Sequence, residues 1–142
     1  MDYAALKTEL TTDPNTYGYS QWVTVGSCWK LADLLNKTRA AIRISQKTIS
    51  VEDFKEAINP TEFAALTAVK RDQLIFMAQG GTVKIKGAGS RAMLDDIFPS
   101  ATALVTNTAL TALRTRDGSR AEQLFGDDVT VSADDVAKAL AL

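Results

Sequence analysis

Apolar residues recur along most of the chain at intervals of three and four, the spacing that lines one face of an α-helix. The longest such stretch covers residues 59–81. Asn59 offers an N-cap oxygen, and Pro60 suits the first helical position, where no backbone donor is needed. Residues 61–66 read as one helical segment, and Thr67 offers a fresh cap for 68–78, so the stretch is one bent helix or two. Gly80-Gly81 ends it, because glycine takes the left-handed conformation without steric cost. Lys70, Arg71 and Asp72 give this stretch a polar side, whereas Leu74-Ile75-Phe76-Met77-Ala78 has none. That turn must be covered by other helices or by another subunit. Burial of all five residues would make the stretch the centre of the core. Exposure of both Ile75 and Phe76 would favour a subunit contact.

The other helices announce themselves through caps. Asp2 caps a first helix to about residue 10, with Leu6 and Leu10 on one face, and Asp13-Pro14 stops it. Tyr17, Gly18, Tyr19 and Trp22 then read as a loop plugged onto the core by its aromatic rings. Ser27 caps a helix to Asn36, with Cys28, Leu31, Leu34 and Leu35 as its apolar set. Ser90 caps a helix over 91–98 after a loose Gly87-Ala88-Gly89 connector, and Pro99 separates it from a helical segment over 100–114. Arg116-Asp117-Gly118 reads as a turn, Ser119 caps a helix to Phe125, and Gly126 ends it.

Period-two signals are few. Ala40-Ala41-Ile42-Arg43-Ile44 can be extended, with Ile42 and Ile44 on one face, and Thr82-Val83-Lys84-Ile85-Lys86 alternates like a short exposed strand. Two segments share a design. Thr48-Ile49-Ser50-Val51-Glu52-Asp53-Phe54-Lys55-Glu56-Ala57-Ile58 aligns without a gap with Thr130-Val131-Ser132-Ala133-Asp134-Asp135-Val136-Ala137-Lys138-Ala139-Leu140. Each is a β-prone piece running into a helix capped by serine. Either both converge on a good cap, or the two β-prone pieces pair and bring the last helix beside the middle of the chain. The resulting expectation is mainly α: a compact, bundle-like single helical domain over residues 1–142 with one or two short β segments.

Composition narrows the function more than the fold. The 142 residues carry a net charge of −1, with 46% apolar and 23% charged residues, as in an ordinary globular chain with no global field toward nucleic acid or membrane. Lys30, Lys37, Arg39, Arg43 and Lys47 face only Asp33 in their segment, and the last 26 residues are acidic. The two zones are solvated faces, or they pair within one molecule or between neighbours. The single Cys28 forms no internal disulfide, and no stretch has the length of a membrane span. Histidine is absent. That removes the commonest general base, zinc ligand and near-neutral switch together.

The remaining candidate chemistry does not hold. Gly87-Ala88-Gly89-Ser90-Arg91-Ala92 has the form of a dinucleotide fingerprint. The strand before it carries Lys84 and Lys86, and no acidic residue follows a second strand at the required distance. Asp95-Asp96, Asp127-Asp128 and Asp134-Asp135 are adjacent pairs; neighbours on a helix do not share a face, and near helix starts they suit the dipole. Cys28 and the hydroxyl residues lack a base. Lys37, Arg39, Arg43 and Lys47 could touch phosphates, but no groove-reading helix accompanies them. No catalytic, cofactor-binding or metal-ligating residue is assigned.

One resemblance supplies a biological setting. It is carried by Asp2-Tyr3-Ala4-Ala5-Leu6-Lys7-Thr8-Glu9-Leu10, Asp13-Pro14, Gly18-Tyr19, Leu34-Leu35-Asn36, Thr61-Glu62-Phe63-Ala64-Ala65-Leu66 and Ser119-Arg120-Ala121-Glu122-Gln123-Leu124-Phe125-Gly126. In this order of short motifs the chain resembles small virion structural proteins of tailed bacteriophages. It departs from them at residues 21–29, where Trp22 and Trp29 replace a more polar helix start. The resemblance implies a non-enzymatic head–tail connector, neck (adaptor) or tail component. Such a protein is made in the host bacterial cytoplasm, resides in the virion, and assembles as a homo-oligomeric ring or array with portal, neck or tail proteins. It implies no cofactor and no membrane partner. The alternative is a phage-encoded regulatory or adaptor protein that binds a host protein or nucleic acid in the infected cell.

Overall fold

The computed structural model describes Met1–Leu142 and is mainly α, as the helical spacing predicts. In chain order its elements are α1 (Tyr3–Thr12), α2 (Tyr19–Val25), α3 (Cys28–Asn36), β1 (Thr38–Ser45), β2 (Thr48–Ser50), α4 (Val51–Glu56) and α5 (Pro60–Ala64). There follow α6 (Ala68–Ala78), β3 (Thr82–Lys84), α7 (Ala88–Ile97), α8 (Leu104–Leu113), β4 (Thr115–Ser119), α9 (Arg120–Phe125) and α10 (Ala133–Leu140). The strands form two ribbons, β1 with β4 and β2 with β3. The chain divides into two compact units, Met1–Ile44 with Asp117–Leu142, and Ser45–Arg116. Each has its own hydrophobic cluster.

In the first unit the Asp2 carboxylate accepts the Ala5 amide at 3.0 Å and starts α1. Asp13 ends the helix in a left-handed conformation, φ 41°. Its carboxylate then accepts the amides of Tyr17, Gly18 and Tyr19 at 2.6, 2.8 and 3.1 Å. That clamp, with Gly18 at φ 83°, launches α2 where the sequence reads as a loop. Tyr19 is buried as expected of a core plug, and Tyr17 meets it edge-on with ring centroids 5.9 Å apart. Trp29 stays exposed. Leu6, Leu10, Leu31, Leu35, Val136 and Ala139 form the centre of this cluster, where α10 packs on α1 and α3.

The β-prone piece before α10 does not pair with β2. Asn36 holds it instead: its side-chain amide donates to the Val131 carbonyl at 2.7 Å and accepts from the Val131 amide at 2.8 Å. One side chain thus does the work of a ladder rung. The pairing of the two similar segments is overturned, because β2 takes β3 as its partner. The expected turn at 116–118 is also corrected, since these residues lie in β4. Gly118 permits this, because a Cβ built there would sit 2.1 Å from Cγ1 of Ile44 in β1.

In the second unit β2 and β3 run antiparallel, with Ile49 opposite Val83 and both buried. Phe54, Leu74, Ile85, Leu94, Ile97, Phe98 and Leu110 complete the cluster. Each fully buried side chain of this size contributes about 1.5–3 kcal/mol relative to exposure. The stretch 59–81 resolves into two helices, each capped as its sequence predicts. Asn59 accepts the amides of Thr61 and Glu62, and Thr67 accepts that of Lys70. The glycine connector before Ser90 is shorter than expected, because α7 already begins at Ala88 and Ser90 lies within it.

Candidate functional site

The site begins with the apolar turn of α6. A helix shows one face to the core, and here that face carries Leu74, 3% exposed, with Met77 and Ala78 packed beside it. The opposite face has nothing over it within the chain. Val69, Ile75 and Phe76 are 67%, 58% and 73% exposed. Of residues 74–78, Leu74 is buried, Met77 and Ala78 are partly buried, and Ile75 and Phe76 are both exposed, so the five are not jointly buried and α6 gives the core one face only.

Phe76 and Met77 continue into a cleft of about 430 Å³, lined further by Gly80, Thr82, Lys84, Gly89, Ser90 and Met93. Three elements build it: the end of α6, the strand β3 and the start of α7. Gly80-Gly81 makes the α6–β3 connection short, with Gly81 at φ 75°. No acidic residue lines the cleft, and Lys84 gives it a positive charge. A second hollow of about 280 Å³ lies among Glu62, Leu66, Thr67, Lys70, Ile97, Pro99 and Ala103.

The α8 start beside that hollow is fixed by Glu62. No side chain of its own caps α8, and the Glu62 carboxylate accepts the amides of Val105 at 3.1 Å and Thr106 at 2.8 Å. The buried Thr106 hydroxyl also accepts the Asn59 amide at 2.9 Å. Hydrogen bonding by the Thr106 hydroxyl, then by the two backbone amides, holds the Glu62 carboxyl below its usual range. Glu62 is thus a structural cap across 43 residues.

The candidates weighed from sequence take structural places. β3 is antiparallel to β2, so Gly87 to Ala92 lacks the parallel βαβ setting of a dinucleotide fingerprint. Asp95 pairs with Arg114 at 2.6 Å and Asp96 with Lys70 at 3.4 Å. Asp135 closes a capping box with Ser132 and accepts the Tyr3 hydroxyl at 3.0 Å. Ser132, through its hydroxyl and then its amide, keeps the Asp135 carboxyl below its usual range. Cys28 is half-buried, with its thiol near the Gly26 carbonyl. No cluster of three acidic or thiol side chains could hold a metal ion.

The basic zone is similarly engaged. Arg39 donates to the carbonyls of Leu34 and Lys37 and lies 4.0 Å from the Tyr17 ring centroid. Lys30 stands 4.2 Å from that of Trp29, and Arg43 pairs with Asp117. The last contact joins the basic zone to the acidic end within one unit. Sequence reasoning missed Glu9 with Arg120, Glu62 with α8, and the Asp13 clamp. The first two cross 111 and 43 residues and leave no local pattern.

Comparison with known protein families, with curated proteins and with solved structures finds no match. No helix is long and apolar enough to cross a membrane.

Proposed function

We propose that this chain is a non-enzymatic structural component of a tailed bacteriophage particle, a head–tail connector, neck or tail protein acting by protein–protein assembly. The particle comes from the resemblance, and the mode of action from one observation. Phe76 is 73% exposed and Ile75 58% exposed on a helix whose other face is core. Val69, Ile75 and Phe76, left in water around the exposed Asp72, supply the aliphatic and aromatic anchors that concentrate at interface centres. A neighbour seated there would bury surface of the standard size, about 1,200–2,000 Å² in total.

Mass spectrometry of purified virions tests the reading. The chain is expected in the particle at a fixed copy number. Its absence from particles, with abundant protein in the infected-cell lysate, would transfer it to the regulatory or adaptor class.

A further inference from the structure

The cleft beside Phe76 contains an unpaired strand edge, and its chemistry specifies an occupant. In the β2–β3 ribbon, Val51 donates to the Gly81 carbonyl and Ile85 to the Lys47 carbonyl. With Ile49 opposite Val83, the bonds between the strands therefore fall at Val83 and at the flanking residues. The peptide groups of Thr82 and Lys84 point the other way. No third strand covers them, because the sheet ends at β3. Thr82 and Lys84 are the two β3 residues that line the cleft. The edge thus offers two N–H donors and two carbonyl acceptors, between an apolar wall from α6 (Phe76, Met77) and another from α7 (Met93).

We propose that this cleft binds an extended, acidic peptide segment of a partner protein by strand addition to β3. The segment forms up to four main-chain hydrogen bonds with Thr82 and Lys84. It places an apolar side chain between Phe76 and Met93 and a carboxylate near Lys84. The inference deepens the assembly reading, on which it rests for the source of the partner, by naming what the partner presents.

Three observations choose this occupant. An unpaired strand edge recognises extended backbone, and the flanking pockets then select alternate side chains. The lining carries a lysine and no acid, so a segment bearing Asp or Glu is favoured over a basic one. A second copy of β3 is disfavoured, because edge-to-edge pairing would gather Lys84 and Lys86 of both copies in one place. Short length and lysines are also how proteins protect an edge from indiscriminate pairing. Protection alone does not account for Phe76 and Met93 standing exposed on either side. Apolar walls with a charged rim select a partner as well as excluding others.

The test pans a library of random octapeptides against the purified full chain. It then measures the enriched peptides on Lys84→Pro and Phe76→Ser by fluorescence anisotropy. Proline at position 84 removes one outward N–H while leaving the β2 ladder intact, as proline is tolerated on a strand edge that faces solvent. Enriched peptides are expected to combine apolar residues at alternate positions with Asp or Glu. They should lose at least tenfold in affinity on each variant and should slow amide exchange at Thr82 and Lys84. Failure to enrich any sequence, a basic consensus, or undiminished binding to Lys84→Pro would overturn the proposal. Should Lys84→Pro not fold, the exchange measurement on the wild-type chain and Phe76→Ser decide it. Peptide binding by a chain absent from virions would keep the docking cleft and remove the particle. Presence in virions without peptide binding would do the reverse.

Discussion

Arg120 grips Glu9 with both arms of its guanidinium, Nε to Oε1 at 2.8 Å and Nη2 to Oε2 at 2.7 Å. Glu9 is only 4% exposed. The pair joins α1 to the start of α9, and the carboxylate favours the charged guanidinium, raising the Arg120 pKa further above its ordinary value. Removing one member strands the other in a low-dielectric interior. Arg120→Ala is expected to destabilise the chain by about 3 kcal/mol, at the lower end of the range for a broken buried pair. Glu9→Leu with Arg120→Leu should cost less than the sum of the single changes. Urea unfolding followed by circular dichroism measures both.

Tyr19 lies close to that pair, is fully buried, and finds no hydrogen-bond partner for its hydroxyl. Burial first, and then the Glu9 charge, push its pKa up, so the phenol stays protonated at any working pH. An unsatisfied buried hydroxyl costs about 1–3 kcal/mol. Tyr19→Phe should therefore keep or raise the melting temperature, and a clear fall would show that the hydroxyl is satisfied in solution.

Gly118 is the only residue type that fits against Ile44. A Cβ at 2.1 Å from Cγ1 must displace a buried side chain, and overpacking of this kind costs about 1–3 kcal/mol. Gly118→Ala is expected to destabilise by that amount, and Ile44→Ala in the same chain should recover part of it. Additive losses in this double-mutant cycle would mean that the two positions do not meet.

Acid should loosen two caps. The folded-state pKa values of Glu62 and Asp135 are depressed by the hydrogen bonds they accept. A depressed carboxylate contributes stability that is complete above its unfolded pKa, about 4, and is lost as pH falls through the folded value. Stability should thus hold from pH 7 to near 5 and decline below. Glu62→Gln and Asp135→Asn should each flatten the decline, as read from denaturation midpoints across pH.

On α6 the two faces should respond oppositely. Leu74→Ala opens a cavity in the core and should cost about 2–5 kcal/mol. Phe76→Ser and Ile75→Ser change exposed positions and should stay within about 0.5 kcal/mol. The serine variants should nonetheless fail to enter particles in a complementation assay. Incorporation at the wild-type level would sink α6 as an assembly surface.

Six cap residues were legible because capping is local, whereas Ser27 precedes α3 without a side-chain capping bond and Ser90 lies inside α7. Asp2, Ser50, Asn59, Thr67, Ser119 and Ser132 each receive an amide two or three residues on, so the whole interaction sits inside a window that a sequence displays. Gly126 and the Pro60 start were readable for the same reason. α2 was not, because the carboxylate that organises its start belongs to Asp13, across a turn. β4 was not, because Thr-Arg-Asp-Gly-Ser carries turn residues and becomes a strand only when Gly118 meets Ile44.

The apolar turn of 74–78 shows where local reading stops. Its composition determined that it would be helical and that something must cover it. Helical spacing alone could not say which side meets the core, because every side is apolar. Tertiary packing decided that: Leu74 turns inward, while Ile75 and Phe76 remain in water, Phe76 beside a strand edge with no partner. Local patterns determine elements and caps, since those energies act over a few residues. Which face is covered depends on what the rest of the chain brings near it.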